Sequence, residues 1–119
     1  MSNIEIISLA GYEISPKVEL DGKDLFSWDA AQGLADKMNV ENWLGCSEWR
    51  LPSKEVWEKI IEDEEAFREA FGRPVERYWS SSAYDDSSSY AWYVLFYYGR
   101  VSYDAKNIDH LVRLVRGGD

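Results

Sequence analysis

The spacing of apolar residues changes twice along the chain. Ile4, Ile6 and Leu9 alternate with polar neighbours, as do Val18 and Leu20 before Asp21-Gly22, a pair that favours tight hairpin turns, so the start predicts one or two strands. The period then lengthens. Ser27 is placed to cap a helix with Trp28, Ala31, Ala35 and Met38 on one stripe and Asp29 at its positive end, and Gly33 is the weak point of that helix. Ser53, after Pro52, caps a second helix in which Val56, Trp57, Ile60, Ile61, Ala66, Phe67 and Phe71 keep helical spacing until Gly72 and Pro74 stop it. From Tyr78 onward the pattern is β: Trp92, Val94 and Phe96 fall on one strand face, Gly99-Arg100 turns the chain, Val101 and Tyr103 continue, and Val112 to Arg116 form a closing strand. Ser80-Ser81-Ser82 and Asp85-Asp86-Ser87-Ser88-Ser89 read as polar loops.

With 119 residues and no internal repeat or linker, this pattern predicts one domain over residues 1–119. Hydrophobic residues at 45% and aromatics at 15%, with six Trp and eight Tyr, supply enough apolar area for a packed core and argue against intrinsic disorder. The net charge of −9, from 22 acidic and 13 basic residues, argues against direct nucleic-acid binding, which needs clustered Lys and Arg. The run Glu62-Asp63-Glu64-Glu65 reads as a solvated helix face.

The chemistry-bearing residues are few. Cys46 is the single cysteine, so no intrachain disulfide forms and a reducing, cytoplasmic setting is the simpler expectation. Met1 to Tyr12 lacks the basic start and apolar run of a signal peptide, and no stretch approaches the ~20 apolar residues of a membrane span, so no membrane association is expected. His110 is the only histidine and lies beside the apolar closing strand, which favours a structural role over a catalytic triad. One Cys and one His make no four-ligand zinc site without two carboxylates; Asp85 and Asp86 with the serine cluster could hold calcium through oxygen ligands, but their spacing matches no EF-hand loop; and glycine-rich phosphate loops are absent. No enzyme activity, cofactor or metal is therefore expected. Gly117-Gly118 reads as a tail, and Arg50, Arg113 and Arg116 as forks that tie loops down through carboxylates or carbonyls.

Four segments in order carry a resemblance: Trp49-Arg50-Leu51-Pro52-Ser53, Tyr78-Trp79-Ser80-Ser81-Ser82, Ala91-Trp92-Tyr93-Val94-Leu95-Phe96 with Gly99, and Val112-Arg113-Leu114-Val115-Arg116-Gly117. Over about residues 24–117 the chain resembles the Lcl C-terminal domain family of bacterial collagen-like adhesins, with residues 1–23 left outside as N-terminal strands. The resemblance implies an α+β, C-type-lectin-like fold in which two helices flank a small twisted antiparallel sheet. Related secreted domains place cysteines where this chain has Ala35 and Leu114, and the sugar-binding triplets of calcium-dependent lectins are absent. The paired cysteines of formylglycine-generating enzymes, which resemble this fold group, are absent too.

On spacing and hydrophobicity Trp49, Leu51, Trp79, Trp92, Val94 and Phe96 are core, which turns Tyr93, Leu95 and Tyr97 to the opposite strand face. By the same resemblance, ligand contacts fall on the C-terminal hairpin and its loops: Tyr84, Asp85, Asp86, Tyr90, Tyr93, Tyr97, Tyr98, Arg100, Tyr103, Asp104 and Asn107. Their mix of Tyr with Ser and Asp has the physics of a paratope, rigid anchors among adaptable polar groups. The leading expectation is a non-catalytic module that binds another protein. A glycan-binding role and an acidic inhibitor of a nucleic-acid-binding protein are the alternatives, and three explanations stay open for the outward residues of that strand: a helix of the same chain covers them, a second copy does, or they contact a ligand.

Overall fold

The computed structural model describes residues 6–84 and 89–118. Among the described residues, two three-stranded antiparallel sheets, four short α-helices and one 3-10 turn make an α+β fold. Strands β1 (Ile7–Leu9) and β2 (Tyr12–Ile14) form a hairpin through Ala10 and Gly11, both at positive φ, as a type I′ turn requires. Strand β2 then pairs with β6 (Val115–Gly117), so the two ends of the chain share one sheet. The backbone continues that pairing beyond β2: Ser15 N–H donates to the Leu114 carbonyl at 2.8 Å and Val18 N–H to that of Val112 at 2.9 Å. The N-terminal segment is thus part of the fold rather than an appendage. Gly117 and Gly118 are not a tail either: Gly117 ends β6, and Gly118, at φ +87°, lies where any Cβ would collide with the Tyr12 ring.

The first helical stripe folds as two pieces, α1 (Trp28–Gln32) and α2 (Leu34–Val40), interrupted at Gly33. Ser27 caps α1 as expected, its hydroxyl accepting from Ala30 N–H at 3.3 Å. The second stripe also divides, into α3 (Lys54–Glu62) and α4 (Glu64–Phe71). Ser53 caps α3 through Val56 N–H, and Asp63, at ψ 92°, leaves helical geometry and accepts from Ala66 N–H at 3.1 Å to start α4. The acidic run is therefore a helix junction with one carboxylate used as a cap, not a continuous helix face.

The second sheet runs β3 (Arg77–Ala83), β4 (Tyr90–Leu95), β5 (Arg100–Ala105), with β4 in the middle. Ser80, Ser81 and Ser82, expected as a loop, lie inside β3, where the register with β4 shifts between Trp79 and Ala83. Serines suit this irregularity because their hydroxyls bond nearby backbone. Ser80 Oγ donates to the Trp92 carbonyl at 2.8 Å and accepts from Ser82 N–H at 3.0 Å.

This sheet is covered on both faces. Helices α1 and α2 contribute Ala31, Leu34 and Met38 to one cluster with Trp49, Leu51, Trp79, Tyr93, Val112 and Leu114. Helices α3 and α4 contribute Trp57, Ile60 and Phe67 to the other, with Tyr12, Ile14, Tyr78, Val94, Phe96 and Val115. Buried indoles find backbone carbonyls: Trp79 Nε1 donates to Phe26 at 2.8 Å, and Trp57 Nε1 to Trp79 at 3.2 Å.

The two-face alternation expected along β4 holds, but double coverage changes which of its residues are exposed. Val94 and Phe96 are buried as expected, but Tyr93, assigned to the open face, is buried against Trp79 and His110, while Trp92, assigned to the core, is only half-buried. The unbroken apolar run Ala91 to Phe96 was the available signal, because a strand packed on both faces has no polar side to show.

Candidate binding surface

Hairpin β4–β5 carries its exposed aromatics at its two ends. At the open end, where β4 begins, Trp92 and Tyr103 are register partners and project to the same face. Their rings meet edge to face, with centroids 5.7 Å apart at 84°. Tyr84, just after β3, packs on Tyr103 at 4.1 Å and on Trp92 at 5.3 Å, and Tyr90 meets Tyr103 edge to face at 6.1 Å. Tyr90 is 41% and Tyr103 47% exposed. The first residue of α3, Lys54, holds its ammonium 4.6 Å from the Trp92 ring, within cation–π range, and its N–H is bound by Ser82 Oγ at 2.9 Å. Tyr90 also borders a shallow cleft of about 320 Å³ formed with Ser89, Ala105, Lys106 and the exposed Asn107.

At the turn end, Tyr97 and Tyr98 are exposed, with ring centroids 5.1 Å apart at 86°, and the Arg100 guanidinium lies 5.1 Å from the Tyr98 ring. Gly99, at φ +67°, closes this turn by donating to the Leu95 carbonyl at 2.8 Å. Arg68 of α4 bolts the turn down from behind: its guanidinium donates to the carbonyls of Phe96 at 2.5 Å, Tyr97 at 3.0 Å and Gly72 at 3.0 Å.

The expected contact residues therefore divide. Tyr84, Tyr90, Tyr103 and Asn107 come together at the open end, and Tyr97, Tyr98 and Arg100 at the turn end. Tyr93 is core and leaves the set, because it packs against Trp79 and His110 within the cluster to which α1 and α2 contribute. Asp104 is half-buried and held within the chain: Oδ2 lies 3.0 Å from His110 Nε2, and Oδ1 accepts from Ala105 N–H at 2.8 Å. Asp85 and Asp86 lie outside the described residues. Sequence reasoning missed Lys54 and Arg68, and misplaced Trp92. Lys54 and Arg68 stand on amphipathic helices where a cation ordinarily means a solvated face, so only tertiary proximity reveals them.

His110 is buried beneath the rings of Trp79 and Tyr93, at 4.7 and 4.8 Å. Burial pushes its imidazole below the ordinary value of 6.5, and the hydrogen bond and charge of Asp104 offset only part of that. Glu76 resolves oppositely. Burial pushes its carboxyl up, but hydrogen bonds from Tyr78 and Lys17 outweigh this and hold it below the ordinary carboxylate range. Three arginines act as ties: Arg50 donates to the Gly117 carbonyl at 2.6 Å, Arg113 to that of Ser15 at 2.9 Å, and Arg116 to that of Ser47 at 2.9 Å and to Glu13. Among the described residues, no group of three or more His, Cys, Asp or Glu side chains is placed to hold a metal ion, and no helix is long and apolar enough to cross a membrane.

The fold and surface define a small α+β domain whose two ends are stitched into one sheet and whose exposed aromatics cluster on a C-terminal hairpin. The Lcl C-terminal domain family matches residues 10–116, and the chain belongs to that family. The match begins well before residue 24 and takes in β2, as the β2–β6 pairing requires. No curated protein matches the chain.

Proposed function

We propose that this is a non-catalytic binding module of C-type-lectin-like fold that holds a protein partner on the open end of hairpin β4–β5. The observation that carries the reading is the ring cluster of Tyr84, Tyr90, Trp92 and Tyr103, stacked in place by cross-strand register with Tyr90 and Tyr103 still substantially exposed. Rings already fixed by their neighbours lose little conformational freedom when a partner covers them, and Tyr and Trp anchors supply much of the affinity at protein interfaces. A cytoplasmic setting belongs to the same reading. Cys46 is free, and Ala35 and Leu114, which stand where related secreted domains have cysteines, pack in one apolar cluster.

The test is affinity capture with the intact chain, identification of the co-eluting protein, and reconstitution from purified components. The Tyr90→Ala/Tyr103→Ala variant is expected to weaken the reconstituted complex at least tenfold, about 1.4 kcal/mol, while its thermal transition stays close to wild type. A complex indifferent to both changes sinks the reading. A glycan-array signal abolished by the same pair would replace the protein partner with a sugar.

A further inference from the structure

We infer that the turn end of the hairpin is a second docking site, for an extended peptide that carries a carboxylate between apolar side chains. A cleft of about 190 Å³ opens there among Val75, Glu76, Arg77, Leu95, Tyr97 and Tyr98. A second cleft, of about 330 Å³, shares Val75, Glu76 and Arg77 and runs on to Leu25, His110 and Leu111. Together they form a groove edged by exposed apolar groups, with Val75 83%, Tyr98 61%, Leu25 45% and Tyr97 43% exposed. Each half has room for a side chain rather than a folded element.

Charge decides what the groove accepts. Leu95 is the register partner of both Arg77 and Arg100, so all three side chains project to one face, with the two cations flanking an apolar floor. Both arginines are exposed, and among the described residues neither makes an ion pair. The groove's own carboxylate does not neutralise them: Glu76 accepts from Tyr78 Oη at 2.7 Å through one oxygen and from Lys17 Nζ at 2.9 Å through the other. The nearby Arg73 is by contrast already paired, 3.6 Å from Glu64. In a chain of net charge −9, two guanidinium forks, each lying over a tyrosine ring, thus stand at the apolar groove with no carboxylate partner among the described residues, and there a partner carboxylate gains charge-assisted hydrogen bonds. The same net charge disfavours a long polyanion, which would meet the acidic remainder of the surface. This site is distinct from the open-end cluster, and the two stand or fall separately.

The probe is a fluorescein-labelled nonapeptide with one glutamate flanked by leucine and phenylalanine, followed by fluorescence polarisation against the intact protein. Saturable binding is expected, weakened about tenfold or more when the glutamate is replaced by glutamine, and similarly by Arg77→Gln/Arg100→Gln. The Val75→Ser variant should weaken both peptides alike, and the Tyr90→Ala/Tyr103→Ala protein should bind as wild type does. Thermal transitions confirm that each variant is folded. No saturable signal, equal affinity for the glutamine peptide, indifference to the arginine changes, or loss of binding in the open-end variant each overturns the proposal. So does displacement by a heparin fragment at lower concentration than by unlabelled peptide, which would make the surface a polyanion site.

Discussion

The two faces of the β3–β4–β5 sheet are built from the same strands yet solve burial differently. Beneath α3 and α4, Phe96 touches four rings, those of Trp57, Phe67, Phe71 and Tyr78, at centroid distances of 4.5 to 5.6 Å. Beneath α1 and α2, Trp79 and Tyr93 instead close over His110, whose imidazole reaches Asp104. One face is an aromatic jigsaw, and the other threads a titratable pair through its packing. The difference teaches that alternation along a strand identifies which residues share a face, while the cover on each face decides what those residues experience.

The largest expected effect breaks the jigsaw. Phe96→Ala should cost about 3–5 kcal/mol in denaturant unfolding, because four packed rings leave a void that the face cannot readily close. Tyr93→Ala should cost less, about 3 kcal/mol, since Tyr93 lies nearer the surface and keeps a trace of exposure. Equal or reversed costs would refute the ranking of the faces. Asp63→Ala should remove about 1 kcal/mol by uncapping α4, with Asp63→Asn recovering most of it in the same measurement.

The smallest effect separates the faces by pH. Because His110 is held below its ordinary pKa of 6.5, the unfolded chain takes up the proton first as pH falls through that value. The stability gained by keeping His110 neutral is therefore complete above the unfolded pKa and declines below it. Melting temperatures of wild type and His110→Gln, compared at about pH 7.5 and about pH 5.5, should show the wild-type margin shrinking on acidification. A margin constant over that range would show that the buried imidazole is not coupled to folding.

Much of the fold was legible because it rests on local chemistry. Ser27 and Ser53 cap helices where an N-terminal signal precedes an apolar stripe, and Asp21-Gly22, both at positive φ, turn the chain between the bridged Leu20 and Lys23. The candidate surface was less legible. Tyr90, Tyr97, Tyr98 and Tyr103 are exposed as expected, but Tyr93, identical in chemistry, is core. Nothing in a tyrosine's immediate neighbours says whether a helix from elsewhere in the chain will cover it.

By itself the sequence determined where helices start, where the chain turns and which residues are apolar enough to pack, since capping, backbone sterics and hydrophobicity act within a few residues. Only the tertiary structure decided that β2 pairs with β6, that Asp63 splits a helix, and that Arg77 and Arg100 flank Leu95 without a carboxylate partner among the described residues. Those outcomes depend on groups distant in sequence meeting in space, where burial, register and charge pairing are set by the whole fold at once.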